Sequence, residues 1–339
     1  MPRSQQFNSV FVTGGAGYCG SHLVPQLLEQ GYRVTVFDIM YFGHDFLPTE
    51  HPNLTTIEGD IRDTEHLQEA MNGHDAVLSL ACISNDASFE LDEALSTSVN
   101  MDAFEPMVVA AKKAGIKRFV YVSSSSVYGV SDAPDVTEDH PLVPLTLYND
   151  YKGRCEPLLT RHTNDDFVGV TMRPATVCGY APRQRLDLSV NILTNHAINN
   201  GKILVFGGDQ LRPNLHVRDY CDALELLLNA PDDKIQNEIF NVGYENLSIR
   251  EIANRVKRVV EEEYPELGDI PIDTTPSDDN RSYHINSDKI SRTLGFKPRF
   301  SVDDAVRDLC SAFRSGLLPN SLTDDRYFNV KRLQRIQAS

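Results

Sequence analysis

Short runs of β-branched and aromatic residues alternate with helix-length amphipathic stretches along most of this chain. Period-two or continuous apolar runs predict strands at 10–13, 33–38, 54–58, 75–81, 118–123 and 168–173. Between them, 3.6-residue periodicity predicts helices, among them 20–30 and a long one over 91–114, closed by Gly31 and Gly115. Strands alternating with helices imply a parallel, doubly wound α/β sheet whose ligand edge is the carboxyl ends of its strands. Beyond residue 175 the rhythm changes: a helix near 186–200, a strand at 203–206, the segment Arg212–Asp219, a helix to about 229, and a strand at 239–242 that returns to the main sheet. Ser248 with Glu251 forms a capping-box pattern, 269–287 reads as polar and irregular, and a last helix over 302–314 carries the stripe Ala305, Leu309 and Phe313. The expected division is a Rossmann-type sheet from 1–175 and 212–244, a smaller C-terminal α/β unit from 176–211 and 245–320, and a tail, 321–339, with little pattern and no assigned role.

Chemistry enters at the first strand. Val10-Phe11-Val12-Thr13 runs into Gly14-x-x-Gly17-x-x-Gly20 and then an apolar helical pattern. Glycines allow a sharp turn and close approach of a ligand, while the following helix offers free N–H groups and the positive end of its dipole to a pyrophosphate. The spacing departs from G-x-G-x-x-G, so later residues must supply the rest of a dinucleotide site. Asp38 ends the second strand about 20 residues on, where a carboxylate accepts ribose hydroxyls and repels a 2′-phosphate; NAD is therefore favoured over NADP. Asp60 follows the third strand and either bonds the adenine amino group or caps the next helix. Leu80 and Ala81 also fall at a strand end. The fifth strand runs into Ser123-Ser124-Ser125-Ser126, hydroxyls that are either loop filler or neighbours of the nicotinamide. Tyr148 and Lys152 are i and i+4 on a helix and share a face; Tyr151 competes for the phenol role but points about 100° away.

Composition narrows the class. The chain has 339 residues, 41% hydrophobic and 24% charged, long enough for two lobes, with a formal net charge of −16 that opposes binding to nucleic acid or an anionic membrane. No apolar run approaches the roughly 20 residues of a membrane span, and the first residues lack a signal-peptide core; a cytoplasmic protein is expected. Six cysteines are scattered without C-x-x-C pairs, which points to free thiols and no metal site.

The ordered set Gly14-x-x-Gly17-x-x-Gly20, Asp38, Asp60-Ile61, Ser124 before Val127-Tyr128-Gly129, Tyr148-x-x-x-Lys152 with Glu156, and Arg212-x-x-x-His216-Val217-x-Asp219 resembles the extended short-chain dehydrogenases, and within them the nucleotide-sugar epimerase/dehydratase family, over roughly 9–315. The resemblance implies NAD held by Gly14, Gly17, Tyr18, Cys19, Asp38, Asp60, Ile61, Leu80, Ala81 and Lys152. It implies catalysis by Tyr148, Lys152 and Ser124, and a nucleoside-diphosphate sugar contacted by Ser125, Thr176, Arg183, Arg212 and Arg281, surface ion pairs being the alternative for Arg183 and Arg281. Bringing a tyrosine from a pKa of ~10 to near 7 needs about 4 kcal/mol, for which the ammonium and the cofactor's positive ring are the implied source. Dehydratases of the 4,6 type carry an Asp-Glu pair after the Ser/Thr; here those positions are Ser125 and Ser126. The expected activity is a UDP-hexose 4-epimerase, with a keto-sugar-nucleotide reductase or dehydrogenase as the alternative and a non-enzymatic cofactor sensor disfavoured because Tyr148, Lys152 and Ser124 are all present. A homodimer through helices near 92–114 and 148–164 is implied by the resemblance alone. Departures fall on the substrate side: Thr176-Val177-Cys178-Gly179 replaces the family's Asn-Val-Tyr-Gly, and Thr275-Pro276-Ser277-Asp278 replaces Arg-Pro-Gly-Asp.

Overall fold

The computed structural model describes residues 5–338 apart from 49, 132 and 278–281, so Arg281 lies outside the described residues. The chain runs through β1 (Ser9–Thr13), α1 (Tyr18–Glu29), β2 (Arg33–Asp38), β3 (Leu54–Glu58), α2 (Thr64–Met71), β4 (Ala76–Ser79), α3 (Asp86–Phe89), α4 (Glu93–Thr97), α5 (Phe104–Lys113) and β5 (Arg118–Val122). It continues through α6 (Leu147–Thr160), β6 (Val168–Pro174), β7 (Thr176–Cys178), α7 (Ser189–Asn200), β8 (Ile203–Phe206), β9 (Leu211–His216), α8 (Val217–Asn229), α9 (Asp232–Ile235) and β10 (Ile239–Val242). The remainder is β11 (Glu245–Ser248), α10 (Ile249–Glu263), β12 (Ile272–Thr275), α11 (Asp288–Leu294), α12 (Val302–Arg314) and α13 (Asn329–Ala338).

Seven strands form one parallel sheet in the order β10-β6-β5-β4-β1-β2-β3. Strand parity explains why it is covered on both faces. Val10, Val12, Val34, Val36, Leu78 and Val120 pack into one apolar cluster with Leu23, Val24 and Leu224, whereas Phe11, Phe37, Val77 and Phe119 pack into another with Met107, Val108 and Leu159. Each such side chain contributes about 1.5–3 kcal/mol on burial, so a one-residue slip of register would exchange the two faces at large cost. The chain reverses direction across the sheet between β1 and β4, and the carboxyl ends there form the switch-point crevice.

The second unit holds two small sheets, β11-β9-β7 and β12-β8, over a core from α7, α10 and α12 that includes Val190, Ile252, Val256 and Val306. Residues 212–216, expected with the large sheet, lie in β9 and pair with β7 and β11; α8 and β10 do return to the large sheet.

Two further sequence expectations need correction. The helix expected over 91–114 is broken into α4, a π-helical turn at Ser98–Asp102, and α5. The Asp92 side chain caps a fresh start at Leu95, and Asn100 exchanges two hydrogen bonds with Ile83, at 2.9 and 2.8 Å, which draws the turn toward the loop after β4. Part of 269–287 is a strand, β12, whose exposed Asp273 and Thr274 suit an edge position beside β8. The tail is ordered: Ser321 exchanges hydrogen bonds with Asn195, the Leu186 N–H donates to the Tyr327 carbonyl, and α13 buries Asn329 and Leu333. Its periodic signal is confined to Val330, Leu333 and Ile336, three residues apart in the short α13.

Candidate active site

At the carboxyl edge of the large sheet opens a cleft of about 570 Å³, walled by the α1 turn, the loop after β5, the start of α6, the β7 segment and the beginning of α13. Gly14 adopts φ +72°, and a Cβ there would come within 2.6 Å of the Ala81 nitrogen, so the turn nests against the end of β4 only as glycine. Gly17 caps α1 without any side-chain hydrogen bond, and a Cβ on it would meet only the Gly14 carbonyl, at 3.2 Å. Amide donors thus face open space at the positive end of a helix, which fits the pyrophosphate of NAD.

Asp38 organises this turn. Its carboxylate accepts from the Ala16 N–H at 3.0 Å and the Met40 N–H at 2.9 Å. Burial raises its pKa, and those two bonds oppose the rise. Asp60 behaves differently. It forms an ion pair with Arg62, which holds its carboxyl below the usual range, and the cap of α2 is Asp63, not Asp60. Gly17, Tyr18, Cys19, Leu80, Ser124, Ser125, Tyr148, Lys152, Thr176, Arg183 and Arg212 line the cleft; Gly14, Asp38, Asp60, Ile61 and Ala81 are not among its lining residues. The Tyr18 hydroxyl donates to the Gly179 carbonyl at 2.6 Å, which ties α1 to the loop after β7.

The corner that holds Tyr148 and Lys152 is built where β5 meets α6. Thr146 caps α6 by accepting from the Asn149 N–H, which puts Tyr148 in the first turn and Lys152 one turn later. Lys152 is buried, and its Nζ donates to the Val122 carbonyl at 2.9 Å. The Lys152 carbonyl in turn accepts from the hydroxyls of Ser123 and Tyr121. Behind it, Glu156 accepts from Arg173 at 2.9 and 2.6 Å and from Ser123 at 2.7 Å, with both charged side chains under 5% exposed. Ser124 Oγ lies 2.7 Å from Ser126 Oγ, which donates to Asn149 Oδ1 at 2.5 Å, so a hydroxyl chain connects the serine loop to the residue beside Tyr148. Ser125 is buried in the same turn.

Burial raises the Tyr148 phenol well above its usual pKa, Cys82, Asp86 and Tyr283 act in the same direction, and the cation opposing them is Arg185. Sequence reasoning missed Arg185, whose signal was only a second guanidinium two residues after Arg183. It is held by Asp187, 2.9 Å away, and by the Ser84 hydroxyl. Also missed were Tyr283, whose ring lies 5.5 Å from the Arg212 guanidinium carbon, and Asn329, which no local pattern marked.

β7 and β9 pair in parallel with Thr176 opposite Asn214, and Thr176 and Arg212 both line the cleft. Arg183 also lines it but lies toward α1, above the ring of Phe42.

Comparison with known proteins agrees with this arrangement. Residues 10–243 match the model of the NAD dependent epimerase/dehydratase family. A UDP-glucose 4-epimerase of Lactobacillus helveticus is 30% identical, over 88% of this chain and 94% of that protein. A dTDP-glucose 4,6-dehydratase of an Actinoplanes species is 27% identical, over 90% and 98%. The solved structure of MoeE5 in complex with UDP-glucose and NAD superposes with a TM-score of 0.77 at 27% identity, covering 91% of this chain and 99% of that one. The fold, the glycine turn, the Tyr148–Lys152 pair and these matches converge on one conclusion: the chain belongs to the NAD-dependent epimerase/dehydratase family.

Proposed function

We propose that this chain is an NAD-using epimerase of a nucleoside-diphosphate sugar, most simply a UDP-hexose 4-epimerase working through a 4-keto sugar. The observation that carries the reading is the hydroxyl chain Ser124–Ser126–Asn149 beside Tyr148. A 4,6-elimination needs an acid and a base at the two positions after Ser124, and Ser125 and Ser126 have neither. An epimerase needs only the phenol, the serine and the lysine.

In this reading Tyr148 removes the proton from the sugar hydroxyl and later returns it. Ser124 holds that hydroxyl, its own orientation fixed by Ser126. Lys152, pinned to the Val122 carbonyl, bonds the nicotinamide ribose and adds positive potential near the phenol. Bound NAD supplies the hydride acceptor and donor. Arg212, with Thr176 beside it, takes the substrate diphosphate, for which a planar guanidinium is suited. A cytoplasmic homodimer assembled on α5 and α6 completes the proposal, and light scattering on the purified chain tests the assembly.

The reaction is tested by incubating the protein with UDP-glucose, UDP-galactose and their N-acetylamino counterparts in deuterium oxide, then separating products. Interconversion of C4 epimers is expected, without solvent deuterium in the sugar and without net change in reduced-nicotinamide absorbance. Sustained absorbance change would instead indicate a reductase or dehydrogenase, and a 6-deoxy-4-keto product a dehydratase.

A further inference from the structure

The groups around Arg183 belong to the cofactor end of the cleft. Its backbone N–H donates at 3.0 Å to the hydroxyl of Ser21, in the first turn of α1. Its guanidinium carbon sits 3.5 Å from the ring centre of Phe42, in the loop after β2. Its Nη2 donates at 2.6 Å to Asn329 Oδ1, and the Asn329 amide donates at 2.9 Å to Ser84, in the loop after β4. Asp38 and Cys19 are among the groups close enough to act on its charge.

Arg183 is 2% exposed, and its Nε is buried with no hydrogen-bond partner. Among the described residues no carboxylate comes within ion-pairing distance of it, since Asp187 pairs with Arg185. Burial, reinforced by the charge of Arg185, pushes its pKa down to about 9. A charge buried without a partner is strongly disfavoured, and the usual resolution is an anion that arrives with a ligand. The amide donors of the α1 turn, which lines the same cleft, call for an anion too.

We propose that Arg183, oriented by Asn329, binds the diphosphate of the dinucleotide cofactor, which makes the C-terminal helix α13 part of the cofactor site. The guanidinium would meet the diphosphate beside the first turn of α1, to which the Arg183 backbone is tied. Asn329 fixes its plane by accepting from Nη2 while its own NH2 is anchored on Ser84. Arg332 reinforces the placement of α13 by donating from Nε to the Tyr41 carbonyl at 2.6 Å. This assignment rests on NAD as the cofactor and is independent of which sugar reaction follows.

The test is calorimetric titration of the full chain, stripped of cofactor, with NAD+ and separately with UDP and dTDP. Arg183→Gln is expected to weaken NAD+ binding tenfold or more while the affinity for the nucleoside diphosphates stays within twofold of the parent; Arg183→Lys recovers part of the loss because the charge remains but the fork does not. Weakened UDP or dTDP binding with unchanged NAD+ binding would overturn the proposal by making Arg183 a substrate contact, and unchanged binding of all three would overturn it as well. Should Arg183→Gln fail to fold, Asn329→Ala decides, because it leaves the charge in place: NAD+ release is expected to accelerate severalfold, and an unchanged release rate would overturn the assignment. Failure of the parent chain itself to bind NAD+ would strike the cofactor reading instead.

Discussion

Lys152 and Arg183 are both buried cations on the wall of one cleft, and their surroundings could hardly differ more. Around Lys152 the neighbouring groups hold one another: Nζ donates to the Val122 carbonyl, Ser123 and Tyr121 donate to its backbone carbonyl, and the Glu156–Arg173 pair behind it is closed by bidentate geometry. Around Arg183 one amide oxygen and an aromatic face do duty for a counter-charge. The wall that carries Tyr148 and Lys152 is thus internally paired before any ligand arrives, whereas the Arg183 guanidinium is left short of an anion. Catalytic geometry has to be fixed in advance, because a group misplaced by a fraction of an ångström loses its rate advantage; a binding residue gains by keeping a charge that only the ligand neutralises.

The comparison breaks most visibly at Tyr148. Tyr148→Phe should lower turnover by roughly 10³-fold while the melting temperature and NAD content stay unchanged, since general acid–base groups contribute about 10²–10⁴-fold; near-normal turnover in that variant would remove the phenol from the mechanism. Glu156→Gln should cost about 3 kcal/mol of stability in urea denaturation, because it leaves the Arg173 guanidinium buried against a neutral partner. A loss under 1 kcal/mol would mean that the wall carrying Tyr148 and Lys152 does not depend on this pair. For Asp38→Ala, competitive titration with NAD+ and NADP+ should show the preference for NAD+ reduced about tenfold, through loss of the ribose acceptor and of the Ala16 anchor; unchanged discrimination would place the ribose elsewhere. The smallest effect is expected at Arg185. Burial raises the Tyr148 phenol and Arg185 lowers it, so Arg185→Gln raises it further and moves the rise of kcat to more alkaline pH, with a loss of roughly a few-fold at neutrality. A pH–rate profile that superposes on the parent's would take Arg185 out of the phenol's electrostatics.

What could be read in advance follows the same divide. β2, β8 and β10 begin and end where the apolar runs do, because a strand buried on one or both faces must state its burial residue by residue. The glycine turn and the Tyr148–Lys152 pair were legible for a related reason: both depend on fixed local spacing, a turn in one case and one helical repeat in the other. Arg183 was legible as a basic residue but not as a cofactor-side one, since its placement depends on Ser21, Phe42 and Asn329, which lie 162, 141 and 146 residues away in sequence. Asn100 broke a strongly periodic helix through hydrogen bonds to a loop that periodicity does not see. Polar contacts between distant segments leave no imprint on neighbouring residues, so the cleft's far wall was read least well.

The bonds from Asn329 to Ser84 and from Arg332 to the Tyr41 carbonyl close loops of 245 and 291 residues. Contacts of such sequence separation form late in folding, after the local and medium-range elements that bring their partners together. A chain in which the large sheet has formed but α13 has not yet docked therefore presents the glycine turn without the part of the cleft that α13 lines. Time-resolved hydrogen exchange during refolding would see the amides of β1 and β4 protected before those of α13, and cofactor present in the refolding buffer would be taken up at the rate of that last docking step rather than at the rate at which the sheet assembles.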